Sequence, residues 1–164
     1  MLESFKIFQI DAFTKEIFKG NPACVVPLSK WIDDNILLEI AKENAVPETA
    51  FFVNKEDSIH LRWFTPDLEM DLCGHATLAT AHCLVKHLGY KSNKIKFETL
   101  SGILEVSIEN GIYFLDFPSR PPKKTKLPDL IKSSINMTPL EVLKARDFVL
   151  LFESEQQIRD LEIN

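Results

Sequence analysis

Gly74-His75-Ala76-Thr77-Leu78-Ala79-Thr80-Ala81-His82-Cys83-Leu84-Val85-Lys86-His87-Leu88 is the stretch on which the fold turns. Its apolar residues (Ala76, Leu78, Ala79, Ala81, Leu84, Val85, Leu88) come with few charges, and Gly89 stands where a helix C-terminal cap belongs. A surface helix shows one apolar stripe and one polar face. This helix is apolar nearly all round, so it belongs in the interior with other elements wrapped about it.

The neighbouring segments supply the wrapping. Ser4 to Phe13 carries Phe5, Ile7, Phe8 and Ile10 and reads as a strand buried on both sides, after which Gly20-Asn21-Pro22 turns the chain. Ala23 to Leu28 is a short β-branched run. Asp33 and Asp34 are placed to cap a helix running through Lys42, with Ile36, Leu37, Ile40 and Ala41 on one face. Pro47 disfavours helical geometry at Val46, so an extended segment follows from Glu48 to Val53. Ile59, Leu61 and Trp63 alternate with His60, Arg62 and Phe64 as a strand does, and a loop then leads to the apolar helix. Beyond it, Lys94 to Thr99, Gly102 to Ile108 and Ile112 to Phe117 read as strands. The last two meet at Asn110-Gly111, the preferred sequence for a tight hairpin.

Pro118 to Lys124 holds three prolines in seven residues and is semi-rigid by composition. The expected organisation is a first domain over 1–118, a linker over 119–126 and a second, incomplete domain over 127–164. The tail reads as short helices at Leu127 to Ile135 and Pro139 to Ala145, an apolar strand Phe148 to Phe152, and a helix opened by Ser154 with Gln157 as a capping box. About 40 residues with one convincing strand do not bury a core of their own. That apolar strand should lie exposed in a monomer, or pair with its symmetry mate in a homodimer.

Composition narrows the function. With 45% hydrophobic and 26% charged residues the 164-residue chain has a globular make-up, and its net charge of −5 offers no basic stripe for nucleic acid. No run of about 18 apolar residues suggests a membrane span, and Met1 to Lys6 lacks the features of a signal peptide. Cys24, Cys73 and Cys83 are odd in number and have no C-x-x-C spacing, which suits free thiols and a cytoplasmic location.

Two places could hold chemistry. Leu72 to Thr77 forms the entrance of the apolar helix, where unpaired amides and the positive end of the macrodipole favour an anion such as a carboxylate. Gly74 lets a ligand approach the backbone, and His75 can add a donor; equally, Cys73 can be a small packing residue and His75 can merely satisfy the helix end. Glu48 is a carboxylate at the mouth of the strongly apolar Thr49 to Val53, a setting suited to a general acid/base, though a solvated strand start fits as well. A zinc site from Cys73, His75, His82 and Cys83 fails on geometry. His75 and His82 would stand roughly 10 Å apart along a helix, whereas donors to one zinc lie within roughly 4 Å of each other. No metal and no cofactor is expected, and His60, His82 and His87 read as surface or core histidines.

Four pieces in order carry a resemblance: Asp11-Ala12-Phe13-Thr14, Gly20-Asn21-Pro22-Ala23, Pro47-Glu48-Thr49-Ala50-Phe51, and Arg62-Trp63-Phe64-Thr65-Pro66 leading to Leu72-Cys73-Gly74-His75-Ala76-Thr77-Leu78-Ala79. Together they resemble the PhzF-like isomerases of phenazine biosynthesis over most of residues 5–120, and the tail is similar to the opening of that family's second half. The resemblance implies an α+β, diaminopimelate-epimerase-like fold of two pseudo-symmetric halves, each a mixed sheet wrapped round a central helix, with the active site in the cleft between them. It further implies a cofactor-independent isomerase that moves a proton between carbons of a small carboxylic acid. Glu48 would be the acid/base, Cys73, Gly74 and His75 would bind substrate, and Asn21 would lie near the same cleft. Family members are often dimeric. The opposite wall comes from an Asp and a Gly/Ser-rich helix terminus late in the family's chain, and these 164 residues end before both. A non-catalytic remnant or small-acid-binding module is therefore one alternative. An amino-acid epimerase or racemase using Cys73 is another, and it would need a second cysteine across the substrate, whereas Cys24 and Cys83 belong to the first half.

Overall fold

Alternation along the strands decides which side chains face the apolar helix, and the computed structural model, which describes Ser4–Asn164, shows the alternation resolved into two layers. Residues 1–3, part of the Met1 to Lys6 stretch read above, lie outside the described part. The strand β1 (Phe8–Ala12) pairs antiparallel with β2 (Asn21–Leu28). It starts four residues later than the pattern suggested and is covered on one side, since Gln9 is exposed and Ile7 is 48% exposed. Helix α1 (Asp34–Asn44) starts as expected: the Asp33 carboxylate accepts from the Asn35 amide at 2.9 Å. It ends at Ala45 in the left-handed conformation, two residues before Pro47.

Strand β3 (Glu48–Asn54) returns parallel to β2 and antiparallel to β4 (Ile59–Phe64). A two-residue strand, β5 (Glu69–Met70), pairs with β4 inside the segment read as a loop. The central helix α2 (Gly74–Lys86) follows. It stops two residues short of Leu88, where Gly89 at φ +73° lets the Leu88 and Tyr90 amides fold back onto the Cys83 and Leu84 carbonyls. Then come β6 (Lys94–Thr99), parallel to β4, and the antiparallel strands β7 (Gly102–Glu109) and β8 (Ile112–Asp116). Asn110 and Gly111 both have positive φ, as a primed hairpin turn requires.

Among the described residues these strands form one mixed sheet in the order β1-β2-β3-β4-β6-β7-β8, with β5 attached to β4. Its inner face carries Val25, Ala50, Phe52, Leu61, Trp63 and Phe97 onto Ala76, Ala79 and Leu84 of α2. Its outer face carries Val26, Leu28, Phe51 and Phe64 onto Leu37 and Ala41 of α1. This explains why Ala50-Phe51-Phe52 reads as an unbroken apolar run, for both of its faces are covered. Thr77 and Thr80 are fully buried in α2, yet their hydroxyls donate to the Cys73 and Ala76 carbonyls at 2.6 and 2.7 Å, so neither is left unsatisfied. The α+β architecture, a mixed sheet round a central apolar helix, is the one expected from sequence.

The chain divides into two compact units, one ending at Phe117 and one beginning at Pro118. The second contains β9 (Lys123–Lys124), α3 (Asp129–Ser134), β10 (Glu141–Lys144), β11 (Phe148–Leu151) and α4 (Glu155–Arg159), with sheet order β11-β10-β9. Three expectations change here. Lys123-Lys124 is a strand rather than linker, Pro139 to Ala145 is extended rather than helical, and β11 has a partner in β10. The reason is pairing: Leu140 donates its amide to Leu151 at 2.7 Å and four residue pairs lie in register, which overrides the local preference of Glu141 to Lys144 for helix. The Ser154 half of the capping box forms, accepting from the Gln157 amide, while the Gln157 side chain accepts from the Glu153 amide one residue before the cap. Among the described residues of this unit Pro139 is the one buried residue, so the unit has almost no core.

Candidate functional site

Register places Glu48. It opposes Ala23 across the parallel β2–β3 ladder and shares its pleat face with Ala50 and Phe52, so the carboxylate begins the row of side chains that faces α2. The same end of that layer receives the start of α2, where Cys73 is the extended residue preceding the first turn. Glu48 and His75 side chains are 15% and 9% exposed, and His75 Nε2 stands 3.2 Å from Glu48 Oε2. The approach is off the line of the ring N–H, so Nε2 is close to a carboxylate yet makes no well-aligned hydrogen bond. On the other side of the ring, Nδ1 lies 3.6 Å from Cys73 Sγ. One donor atom from each of Glu48, Cys73 and His75 falls within 4.8 Å of the other two.

Burial pushes the Cys73 thiol up to about 12, and the Glu48 charge pushes the same way, while the backbone amides of Ala76 and His75 favour the thiolate. Burial wins, so Cys73 is a protonated thiol at neutral pH. Gly74 has no steric obligation to be glycine: a Cβ there would meet only Phe117 Cε2 at an ordinary 3.8 Å. What glycine adds is an open approach to the first amides of α2. Asn21 pairs with Ala12 at the start of β2 and shares a pleat face with Ala23, so it lies on the Glu48 side of the sheet. Among the described residues it makes no hydrogen bond with the three.

The remaining histidines and cysteines pack. His60 accepts from Trp31 Nε1 at 2.9 Å, His82 lies 3.5 Å from the Tyr113 hydroxyl, and burial holds both imidazoles below their ordinary range. Cys24 and Cys83 are buried free thiols. The sequence reading missed Arg62, which grips Asp34 through two bonds at 2.8 and 2.9 Å and Glu69 through two at 2.7 Å, between the rings of Trp31 and Phe64. Its alternation with Leu61 and Trp63 marked it as outward-facing, but nothing local named its partners. Two clefts of about 620 and 600 Å³ lie elsewhere, at Asn54–Ile59 beside Leu84–Lys91 and between β1, α2 and β8. Neither is lined by Glu48, Cys73 or His75, so the chemistry, rather than the volume, marks the candidate site. No helix among the described residues is long and apolar enough to cross a membrane.

Comparison with known proteins agrees with this architecture. The chain is 44% identical over 155 residues to an uncharacterised isomerase of Pseudomonas aeruginosa, covering 94% of this chain and 60% of that protein. It superposes on a crystal structure of a PhzF-family phenazine biosynthesis protein from Enterococcus faecalis with a TM-score of 0.86 and 36% identity, over 99% of this chain and 62% of that one. A structure described as a predicted epimerase from Pseudomonas aeruginosa shares the fold at a TM-score of 0.73 and 18% identity, covering 98% of this chain and 64% of the other. The chain thus spans about 60% of the length of the first of these relatives. The profile of the phenazine biosynthesis-like protein family matches residues 10–140. This chain belongs to the phenazine biosynthesis-like (PhzC/PhzF) family.

Proposed function

We propose that the chain carries the acid/base half of an isomerase that moves a proton between carbons of a small carboxylic acid. The observation that carries the reading is the Glu48–His75 pair, a carboxylate and an imidazole 3.2 Å apart, both largely withdrawn from water, at the amino end of a buried helix. Glu48 would remove the proton from one carbon and return it to another. His75 would bind the substrate, its Nε2 lying beside the Glu48 carboxylate. The amides of Gly74, His75 and Ala76, with the positive end of the α2 dipole, would hold the substrate carboxylate, an interaction of about 0.3–2 kcal/mol for the dipole part. Asn21 would flank the same substrate, and the Cys73 thiol would line its pocket. The high affinity of Cys73 for its proton weighs against an amino-acid epimerase in which this sulfur is the resting base. The same reading takes the working assembly to be a cytoplasmic homodimer that needs no cofactor.

Solvent deuterium exchange into the carbon positions of a panel of small carboxylic acids tests the proposal. Exchange should occur with at least one acid, vanish in Glu48→Gln and fall in His75→Gln, with unchanged far-ultraviolet circular dichroism in both. Exchange that survives Glu48→Gln removes that residue from the mechanism. Binding of an acid without exchange would favour a small-acid-binding module.

A further inference from the structure

The mixed sheet does not close round α2. Among the described residues its two outer strands, β1 and β8, each pair on one edge only, and a cleft of about 600 Å³ lies between them with α2 as its floor. Burial marks the same gap from inside. Val25, Phe52, Leu61, Phe97 and Val106 of the inner strands are at most 1% exposed, whereas Phe8 and Ile10 of β1 and Tyr113 and Leu115 of β8 pack on the same core and stay half-buried. From His75 to Leu84 every residue of α2 is buried except Leu78 and His82, which stand one turn apart and line the cleft. A helix apolar nearly all round is thus left with one uncovered stripe, and that stripe lies between two unpaired strand edges.

We propose that this slot takes one extended strand of polypeptide, supplied by the part of the longer relatives that lies outside the matched region, with apolar side chains on Leu78 and an acidic side chain beside Lys86. Two unpaired edges specify the occupant's backbone, because a strand bonds to both at once and satisfies the groups that β1 and β8 leave open. The successive pairings reverse the chain an even number of times between β1 and β8, so both edges run in the same sense and a single strand lies antiparallel to both. Leu78 to Lys86 spans about 12 Å along the helix, the length of about four residues of strand. Alternate side chains of the added strand then face α2 and complete the half-buried row. Lys15 and Lys86 line the slot with Asp11, so positive charge is in excess and favours an acidic residue on the occupant. No strand of this chain or of a second copy fits, since every strand among the described residues already uses at least one edge. The relatives carry further polypeptide: the match to the 44%-identical Pseudomonas aeruginosa isomerase covers 60% of that protein and leaves two fifths outside it. Glu48, Cys73 and His75 do not line the slot, so its filling stands apart from the isomerase reading.

Amide hydrogen exchange read by nuclear magnetic resonance tests the slot without any activity assay. The 164-residue chain is measured alone and mixed with the unmatched part of the Pseudomonas aeruginosa isomerase, produced as a separate polypeptide. Alone, the free-edge amides of β1 and β8 should exchange far faster than the amides of β3 and β6 inside the sheet. On mixing, both edges should gain protection together, by roughly tenfold or more, and the signals of Leu78 and His82 should shift. Leu78→Lys should abolish the joint protection with circular dichroism unchanged, and Lys86→Glu, at an exposed position, should weaken it at low salt. Val149→Lys, in the second unit, should leave it as in the parent. Edges already protected in the chain alone, protection of one edge without the other, no protection from the added polypeptide, or joint protection undiminished in folded Leu78→Lys or in Lys86→Glu overturns the proposal.

Discussion

Alkaline unfolding isolates the Cys73 environment. The thiol ordinarily titrates at 9.0 and burial lifts it to about 12 in the folded chain. Between those values the folded protein keeps a proton that the unfolded chain has released. The stabilisation is therefore complete below about pH 9 and is lost as pH rises toward 12, at about 1.4 kcal/mol for each pH unit. Cys73 is 6% exposed, so solvent screening removes little of this. From pH 9 to pH 10.5 the parent should lose about 2 kcal/mol more than Cys73→Ala, and the limiting loss is about 4 kcal/mol.

The measurement is urea unfolding of parent and Cys73→Ala in the presence of reductant, at half-unit steps from pH 7 to 10.5. The raised Cys83 thiol and Tyr113 hydroxyl are common to both proteins, so they cancel in the difference. Cys73→Ala will be less stable at neutral pH because it opens a small cavity, but only the slope against pH matters. Parallel curves would mean that the Cys73 thiol titrates normally, and the argument that burial keeps it protonated would fail.

Glycines at similar φ should respond differently to alanine. Gly20 (φ +81°) would place a Cβ 2.3 Å from the Ala12 carbonyl oxygen and 2.8 Å from Thr14 Cγ2, whereas Gly89 (φ +73°) has open space. Gly89→Ala should cost only the left-handed strain, about 1–2 kcal/mol, and Gly20→Ala clearly more, which a comparison of urea midpoints reads directly; equal costs would show that the β1–β2 turn yields freely. In the second unit, β11 leaves an outer edge with Val149 and Leu151 46% and 50% exposed, so light scattering on the purified chain should report a dimer that Val149→Lys dissociates. A monomeric parent would remove that edge as the interface.

Legibility followed the range of the interactions. The central helix was readable because its all-round apolarity is a local pattern, and the β7–β8 hairpin because Asn110-Gly111 fixes its own backbone. The second unit was misread where pairing outvoted propensity: Glu141-Val142-Leu143-Lys144 suits a helix until Phe148 to Leu151 lies beside it. Glu48 stood out from its neighbours in sequence, but its closeness to Cys73 and His75 did not. That closeness depends on the parallel β2–β3 register, and hence on the crossover through α1, which no short window contains.

Arg62 provides a control for reading the Glu48 cluster as functional rather than structural. Both bring charged groups together across elements distant in sequence. At Arg62 the guanidinium makes four bonds to two carboxylates and is covered by two rings, and Arg62 draws the Asp34 carboxyl below its usual range. That is a polar network completed for its own sake, joining α1, β4 and β5. The Glu48 cluster is more buried and less complete. Its imidazole nitrogen is off-line, its thiol is held in the protonated form, and its glycine answers to no steric demand. Trp63 Nε1 is also buried without a partner, inside the apolar core. An unsatisfied buried group costs about 1–3 kcal/mol. At His75 that cost falls where a helix terminus can receive an anion, and a ligand that aligned with Nε2 while presenting a proton to Glu48 would recover it.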